Sequence, residues 1–136
     1  MKYKFLDRIR SDVMFEAYGN NLKELFENSA EALFSVICKI SKVQAKESKT
    51  VDIESDNLES LMIDWLQYLI ALVDTEQLFF SKIIVDDVDK TSIKATLFGE
   101  PIRSELGETV VKAVTYYKFN LEKVDTGYKV TVSLDI

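Results

Sequence analysis

Apolar residues recur every three to four positions in two stretches of the chain, and this spacing predicts two amphipathic helices. The first predicted helix covers residues 21–41, where Asn21 followed by Glu24 resembles a capping box. Its apolar stripe contains Leu22, Leu25, Phe26, Leu33, Val36, Ile37 and Ile40. A helix with one such stripe buries that side against the rest of the fold.

The second predicted helix covers residues 57–74 and carries the longer stripe of the two. Asp56 followed by Glu59 supplies its start signal. The stripe contains Leu58, Leu61, Met62, Trp65, Leu66, Leu69, Leu72 and Val73. Because large aromatic residues dominate core burial, Trp65 is better interpreted as a core anchor than as a binding platform.

The rest of the chain alternates between apolar and polar residues in short runs, which is typical of strands. Asp12–Tyr18 forms the first predicted strand, and Gly99–Thr109 reads as a mobile surface loop because it holds the only proline and several polar residues. The later strands are predicted at residues 51–54, 79–88, 92–98, 110–123 and 128–136. Two early helices followed by several strands indicate an α+β fold, with both helices packed on one face of a mainly antiparallel β-sheet.

Length and composition favour one domain over residues 1–136. Apolar residues form clusters far shorter than the roughly 20 residues of a membrane-spanning helix. Charges also interrupt the N-terminal segment, as they would not in a signal peptide. We therefore expect a cytoplasmic protein with no membrane segment.

The charged residues restrict the possible functions. The chain has 17 Lys and Arg against 23 Asp and Glu, a net charge of −6, and no histidine. An acidic domain is repelled by phosphate backbones, so direct nucleic-acid binding is not expected, whereas a basic protein partner is. Without histidine, common zinc sites and Ser-His or Cys-His nucleophiles are excluded. The single cysteine, Cys38, lies in an apolar helical pattern and is predicted to be a buried thiol.

The last predicted strand suggests a cluster of carboxylates. Its apolar residues occupy even positions, so Ile136 should face the core and Asp135 the opposite side. If this strand lies antiparallel beside the first, Asp12 approaches Asp135 and the terminal carboxylate of Ile136. Oxygen ligands of this kind select hard cations such as Ca²⁺ or Mg²⁺. A second acidic run, Asp86–Asp89, lacks the spacing of a calcium loop and is interpreted as a solvated turn.

Four features coincide with a known family: Asp12 opening the first strand, Val73-Asp74, the Lys-Ala-Val-Thr-Tyr stretch from Lys112, and a chain closing on Asp135-Ile136. Together they resemble archease, a small α+β accessory protein. The resemblance implies activation of the 3′-phosphate RNA-splicing ligase, by promoting its metal-dependent guanylylation and multiple turnover in tRNA splicing. It assigns Asp12, Asp135 and Ile136 to a divalent cation, Ca²⁺ or Mg²⁺, and Lys112 and Asp74 to activation of the partner.

The chain departs from the family pattern at three histidine positions, which here hold Ile9, Val73 and Tyr117. An alternative role is that of a protein chaperone or specificity modulator for an RNA-modifying enzyme such as a tRNA methyltransferase. A stand-alone metal-dependent hydrolase is a third reading, and it lacks an evident general base. Without the resemblance, Lys112 would be interpreted as a solvated edge lysine.

Overall fold

A computed structural model describes residues 1–6 and 12–136, which form seven strands and two α-helices. In chain order the elements are β1 (Tyr3–Phe5), β2 (Asp12–Gly19), α1 (Leu22–Ile37), β3 (Glu47–Glu54), α2 (Leu58–Glu76), β4 (Leu78–Val88), β5 (Ser92–Pro101), β6 (Ala113–Val124) and β7 (Gly127–Asp135). None of the helices in these ranges is both long and apolar enough to cross a membrane.

The strands form two antiparallel sheets, and the prediction of a single sheet was wrong in this respect. One sheet has the order β1-β2-β7-β6 and the other the order β3-β5-β4. The predicted pairing of the first and last strands is confirmed, because β2 lies antiparallel beside β7 along its whole length. Alternation along a strand shows which face is buried, but it does not specify the strand's neighbours. The α+β class is confirmed.

Helix α1 begins as predicted and ends earlier. The Asn21 side chain accepts a hydrogen bond from the Glu24 amide at 2.9 Å, and the Glu24 carboxylate accepts one from the Asn20 amide. The helix ends at Ile37, not near Ser41, because Cys38 adopts an extended conformation and forms a bridge with Gly107. A contact distant in sequence therefore ends this helix.

Helix α2 begins one residue later than predicted. Its cap is Asn57, not Asp56, and the Asn57 side chain accepts from the Ser60 amide at 2.9 Å. The helix ends where Gln77 takes the left-handed conformation, with φ of 54°. Trp65 is fully buried, and its indole Nε1–H donates to the Phe26 carbonyl of α1 at 3.1 Å. The core-anchor interpretation of Trp65 is confirmed.

The segment from β5 to β6 is fastened to the ends of both helices, although the sequence predicted a surface loop there. Its first residues belong to β5, and Leu106 is buried in the core. The Ile102 amide donates to the Gln77 carbonyl, and the Glu108 amide donates to the Ile37 carbonyl. These bonds satisfy carbonyl groups that a helix end otherwise leaves without partners. They also determine the path by which the chain reaches Lys112.

Cys38 is buried and should be chemically inert in the folded protein. Its thiol donates to the Phe34 carbonyl at 3.3 Å, and burial raises its pKa to about 12. At pH 8 only about one thiol in ten thousand would then be the reactive thiolate. We expect less than a tenth of the folded protein to react with a thiol reagent over minutes at pH 8. One equivalent should react in guanidinium chloride, and rapid stoichiometric labelling without denaturant would contradict the prediction.

Candidate functional site

Three strands bring the predicted carboxylates to one end of the four-stranded sheet. Asp12 of β2 lies directly opposite Asp135 of β7, and Asp135 lies opposite Ala113 of β6. Directly opposite residues of antiparallel strands project from the same face, so Asp12 and Asp135 share the outer face, away from the helices. Both residues are half-buried. The convergence predicted from the alternation of β7 is therefore present in the strand register.

The opposite face at the same end of the sheet is apolar. Val13, Leu134 and Val114 lie side by side in the register and pack into the core. Ile136 is half-buried and packs against the same core, which confirms the predicted direction of its side chain. Its main-chain carboxylate follows Asp135 directly. The core thus holds the strand ends that carry the carboxylates.

Lys112 is fixed beside Asp135 by its backbone. The Lys112 amide donates to the Asp135 carbonyl at 2.7 Å, while its side chain is exposed. Lys112 was predicted to lie inside a strand, but β6 begins one residue later, at Ala113. On the other side, the Val114 amide donates to the Gln67 side chain of α2 at 3.0 Å. The start of β6 is therefore held from both the sheet and the helix.

The donor set fits a hard cation by its chemistry. Asp12 and Asp135 offer carboxylate oxygens, and the third group of the predicted set is the carboxylate of Ile136. Within residues 1–6 and 12–136, no three His, Cys, Asp or Glu side chains form a metal-binding group. A site here would thus depend on a main-chain terminus and on oxygens supplied from outside the chain. The metal assignment stays a prediction.

Asp74 lies apart from this row of carboxylates. It is an exposed residue in the last turn of α2. It lines a pocket of about 380 Å³, together with residues of the segment that leads to Lys112. The structure thus places Asp74 beside the approach to Lys112 and on a different surface element from Asp12.

A bulge in β6, not predicted from the sequence, lies next to the carboxylates. Thr115 pairs with Ser133, but the next paired residue of β6 is Asn120, so the intervening residues leave the ladder. Lys118 has φ of 53°, and the Ser133 hydroxyl donates to the Tyr117 carbonyl at 2.8 Å. The exposed side chains of Tyr116 and Tyr117 mark the bulge. Strand-like alternation continues through it, so the pattern contained no signal of its position.

The middle of the outer face is occupied by its own hydrogen-bond network. The Tyr18 hydroxyl donates to the Glu16 carboxylate at 2.7 Å, and Lys4 lies 3.5 Å from the same group. Chiefly through the Tyr18 hydrogen bond, the pKa of Glu16 is lowered, while burial raises the pKa of Tyr18 to about 12. In contrast, no ion pair or hydrogen bond involves the Asp12 or Asp135 carboxylate within the described part of the chain.

A larger pocket, of about 790 Å³, lies at the start of α1 and contains none of the predicted site residues. Three glutamates line it, and each already has a partner. Glu24 accepts from the Asn20 amide, Glu27 from the Val85 amide, and Glu31 lies 3.2 Å from Lys2. Because these carboxylates are satisfied within the chain, the pocket's size does not indicate a ligand.

Comparison with known proteins identifies the family. Residues 3–136 match the model of the archease protein family (MTH1598/TM1083). The protein archease of Methanosarcina acetivorans is 41% identical over 141 residues, covering 99% of this chain and 96% of that protein. The chain belongs to the archease family. The resemblance inferred from Asp12, Lys112 and Asp135-Ile136 is therefore confirmed at the level of the family.

Solved archease structures share the fold. The solution structure of Methanobacterium thermoautotrophicum protein 1598 is 35% identical, covers 98% of both chains and superposes with a TM-score of 0.82. A crystal structure from Thermotoga maritima, called an archease and possible chaperone, is 20% identical, covers 93% of this chain and 91% of that one, and has a TM-score of 0.69. At that identity the likeness extends to the fold alone.

The positions where this archease lacks the family's histidines differ in their surroundings. Val73 is buried among the core residues of α2, whereas Tyr117 is exposed on the bulge of β6. Ile9 lies outside the described residues. A histidine at position 73 would be near the core, while one at position 117 would face solvent near the carboxylates. The two replacements therefore change different surfaces.

Proposed function

We propose that this archease is an accessory activator of the RNA-splicing ligase, promoting its metal-dependent guanylylation and multiple turnover. The observation that supports this most is the register that sets Asp12 opposite Asp135 while the Lys112 amide bonds to Asp135. Two carboxylates and an ammonium are thereby carried at one end of a sheet whose other face is packed in the core. Such an arrangement suits insertion into a site of metal and phosphate on a partner.

Asp12, Asp135 and the carboxylate of Ile136 would hold a Ca²⁺ or Mg²⁺ ion. Three carboxylates supply only part of the oxygen ligands these cations take, so a partner or water must supply the rest. When bound, the ion would neutralise phosphate charge on the partner's nucleotide. The protein's own contribution is to hold two like charges in adjacent strands, where the repulsion between them favours capture of a cation.

Lys112 would act on the partner's phosphates and not on the metal. An ammonium has three donors and no acceptor, so it cannot be a ligand, and it pairs with phosphate as a compact charge. Its backbone is fixed at Asp135 while its side chain is exposed, which leaves the ammonium free to reach outward. The proposal assigns no catalysis to the chain alone, since its role is to position groups for the ligase.

The test is a guanylylation time course of the cognate ligase with labelled GTP, with and without this chain. We expect the unmodified chain to accelerate labelling of the ligase. Lys112→Ala should lose at least about tenfold of that acceleration, because a charge contact to phosphate is removed, and Ca²⁺ affinity should stay within about twofold. Lys123→Ala, which removes an exposed lysine at the far end of β6, is the control.

Two results would contradict the proposal. One is labelling of this chain itself by GTP, which would make it an enzyme. The other is full stimulation by Lys112→Ala and Lys123→Ala alike, which would leave the Lys112 ammonium without a role. The second candidate function, a chaperone or modulator of an RNA-modifying enzyme, is favoured by the exposed Tyr116 and Tyr117 and by the name of the Thermotoga relative. It predicts stabilisation of a client enzyme that is unaffected by Lys112→Ala.

A further inference from the structure

The pocket beside Asp74 combines an apolar interior with an acidic rim. Its walls come from the last turns of α1 and α2 and from the segment before β6, and they include Ile37, Ile70, Val73, Phe79 and Val111. Two carboxylates, Asp74 and Glu108, also line it, and no lysine or arginine does. The volume of about 380 Å³ is enough for a side chain and too small for a folded element.

Both helices direct their C-terminal ends toward this pocket. The C-terminal end of a helix carries partial negative charge, and a cation in the last turn normally offsets it. Neither α1 nor α2 has a basic residue in its last turn. The negative potential of two helix ends thus adds to that of Asp74 and Glu108.

The two rim carboxylates have no partner of their own within the described residues. The nearby lysines and arginine are engaged elsewhere: Lys49 pairs with Glu76, Lys39 donates to the Glu105 carbonyl, and Arg103 pairs with Glu100 and Glu105. Neither the Asp74 nor the Glu108 side chain takes part in any of these contacts. The acidic rim is therefore available to a cation from outside.

The rim is also apolar at its outer edge. Val110 is 79% exposed and Ile102 is 36% exposed, although both belong to a segment whose backbone is hydrogen-bonded to the helix ends. Lysine and arginine carry a long aliphatic stem beneath a charged head. Such a side chain would cover the aliphatic edge with its stem and place its head between the two carboxylates.

We infer that this pocket receives a lysine or arginine side chain of the partner protein and so docks the partner beside Lys112. Val111 lines the pocket and is the residue before Lys112, so an occupant would be held one residue from the start of the site. The inference rests on the proposed function, because the partner is the protein on which Lys112 acts. It gives Asp74 the role of a docking residue.

The experiment measures binding of the cognate ligase to this archease at two salt concentrations, with four variants. Asp74→Asn and Glu108→Gln, alone and together, remove charge while keeping shape. Glu59→Gln removes an exposed carboxylate from the first turn of α2 and is the matched control. We expect the double variant to bind about tenfold more weakly at low salt, and to lose less affinity than wild type when salt is raised. Glu59→Gln should bind like wild type.

The same samples are tested for stimulation of guanylylation and for self-association by sedimentation. The concentration giving half-maximal stimulation should rise with the dissociation constant. If wild type stimulates the ligase and the double variant binds as tightly as wild type, the docking inference is overturned and the proposed function stands. If wild type neither binds nor stimulates, the proposed function fails and this inference with it. Self-association of wild type that the double variant abolishes would make a second copy the occupant and would also overturn it.

Discussion

Replacement of Asp12 by alanine should lower divalent-cation affinity and ligase stimulation while raising the stability of the metal-free protein. Asp12 stands directly opposite Asp135, and like charges at directly opposed positions of a sheet destabilise it. Removing one should raise the free energy of unfolding by about 0.2–1 kcal/mol without metal. Removing a ligand should weaken Ca²⁺ binding by more than about tenfold, with a similar loss of stimulation.

Calcium titration, thermal melts and guanylylation time courses of the same preparations check this prediction. Asp52→Ala is the matched control, because Asp52 lies opposite Lys94 in β3 and β5, an attractive pair instead of a repulsive one. That variant should lose a little stability and keep both calcium affinity and stimulation. Full stimulation by a folded Asp12→Ala protein would rule out the shared-metal mechanism and favour a modulator that works by surface binding.

Replacement of Trp65 by alanine should have the largest effect on folding. Trp65 is fully buried between the helices, where it lies 6.3 Å from the Phe26 ring and donates to the Phe26 carbonyl. Truncating a buried tryptophan removes its transfer free energy and leaves a cavity, at a cost of about 3–5 kcal/mol. Urea unfolding followed by far-UV circular dichroism would measure this loss.

Trp65→Phe separates packing from hydrogen bonding. Phenylalanine keeps much of the buried ring but leaves the Phe26 carbonyl without its indole donor, so an intermediate loss of about 1–3 kcal/mol is expected. A loss below about 1 kcal/mol for Trp65→Ala would show that Trp65 is not the anchor of the helix pair. Since the carboxylate row lies on the opposite face of its sheet, folded protein of either variant should still stimulate the ligase.

The carboxylate row could be predicted from the sequence because it depends on a local property. Alternation along β7 gives every second residue the same face, so Asp135 had to lie opposite Ile136 in direction. The pairing of β2 with β7 was then enough to bring Asp12 to Asp135, and the structure has that pairing. The helix stripes were predictable for the same reason, since burial of one side requires a spacing of three to four residues.

The division into two sheets, the short strand β1 and the bulge of β6 could not be predicted, because each depends on pairing between distant residues. β1 has only three residues, flanked by charges, and it exists through its pairing with β2. The bulge is defined by the register of β6 against β7, and the alternation of residues does not interrupt there.

By itself, the sequence determined the class of fold, the buried faces of both helices and of β7, and the oxygen-only character of the carboxylate row, since each follows from local spacing and residue type. Only the tertiary structure decided where Asp74 lies. Its pocket exists because the segment from Ile102 to Val111 bonds to the ends of α1 and α2, which are about 40 residues apart in sequence. Contacts over such separations depend on how the helices and sheets pack, and no spacing pattern along the chain encodes them.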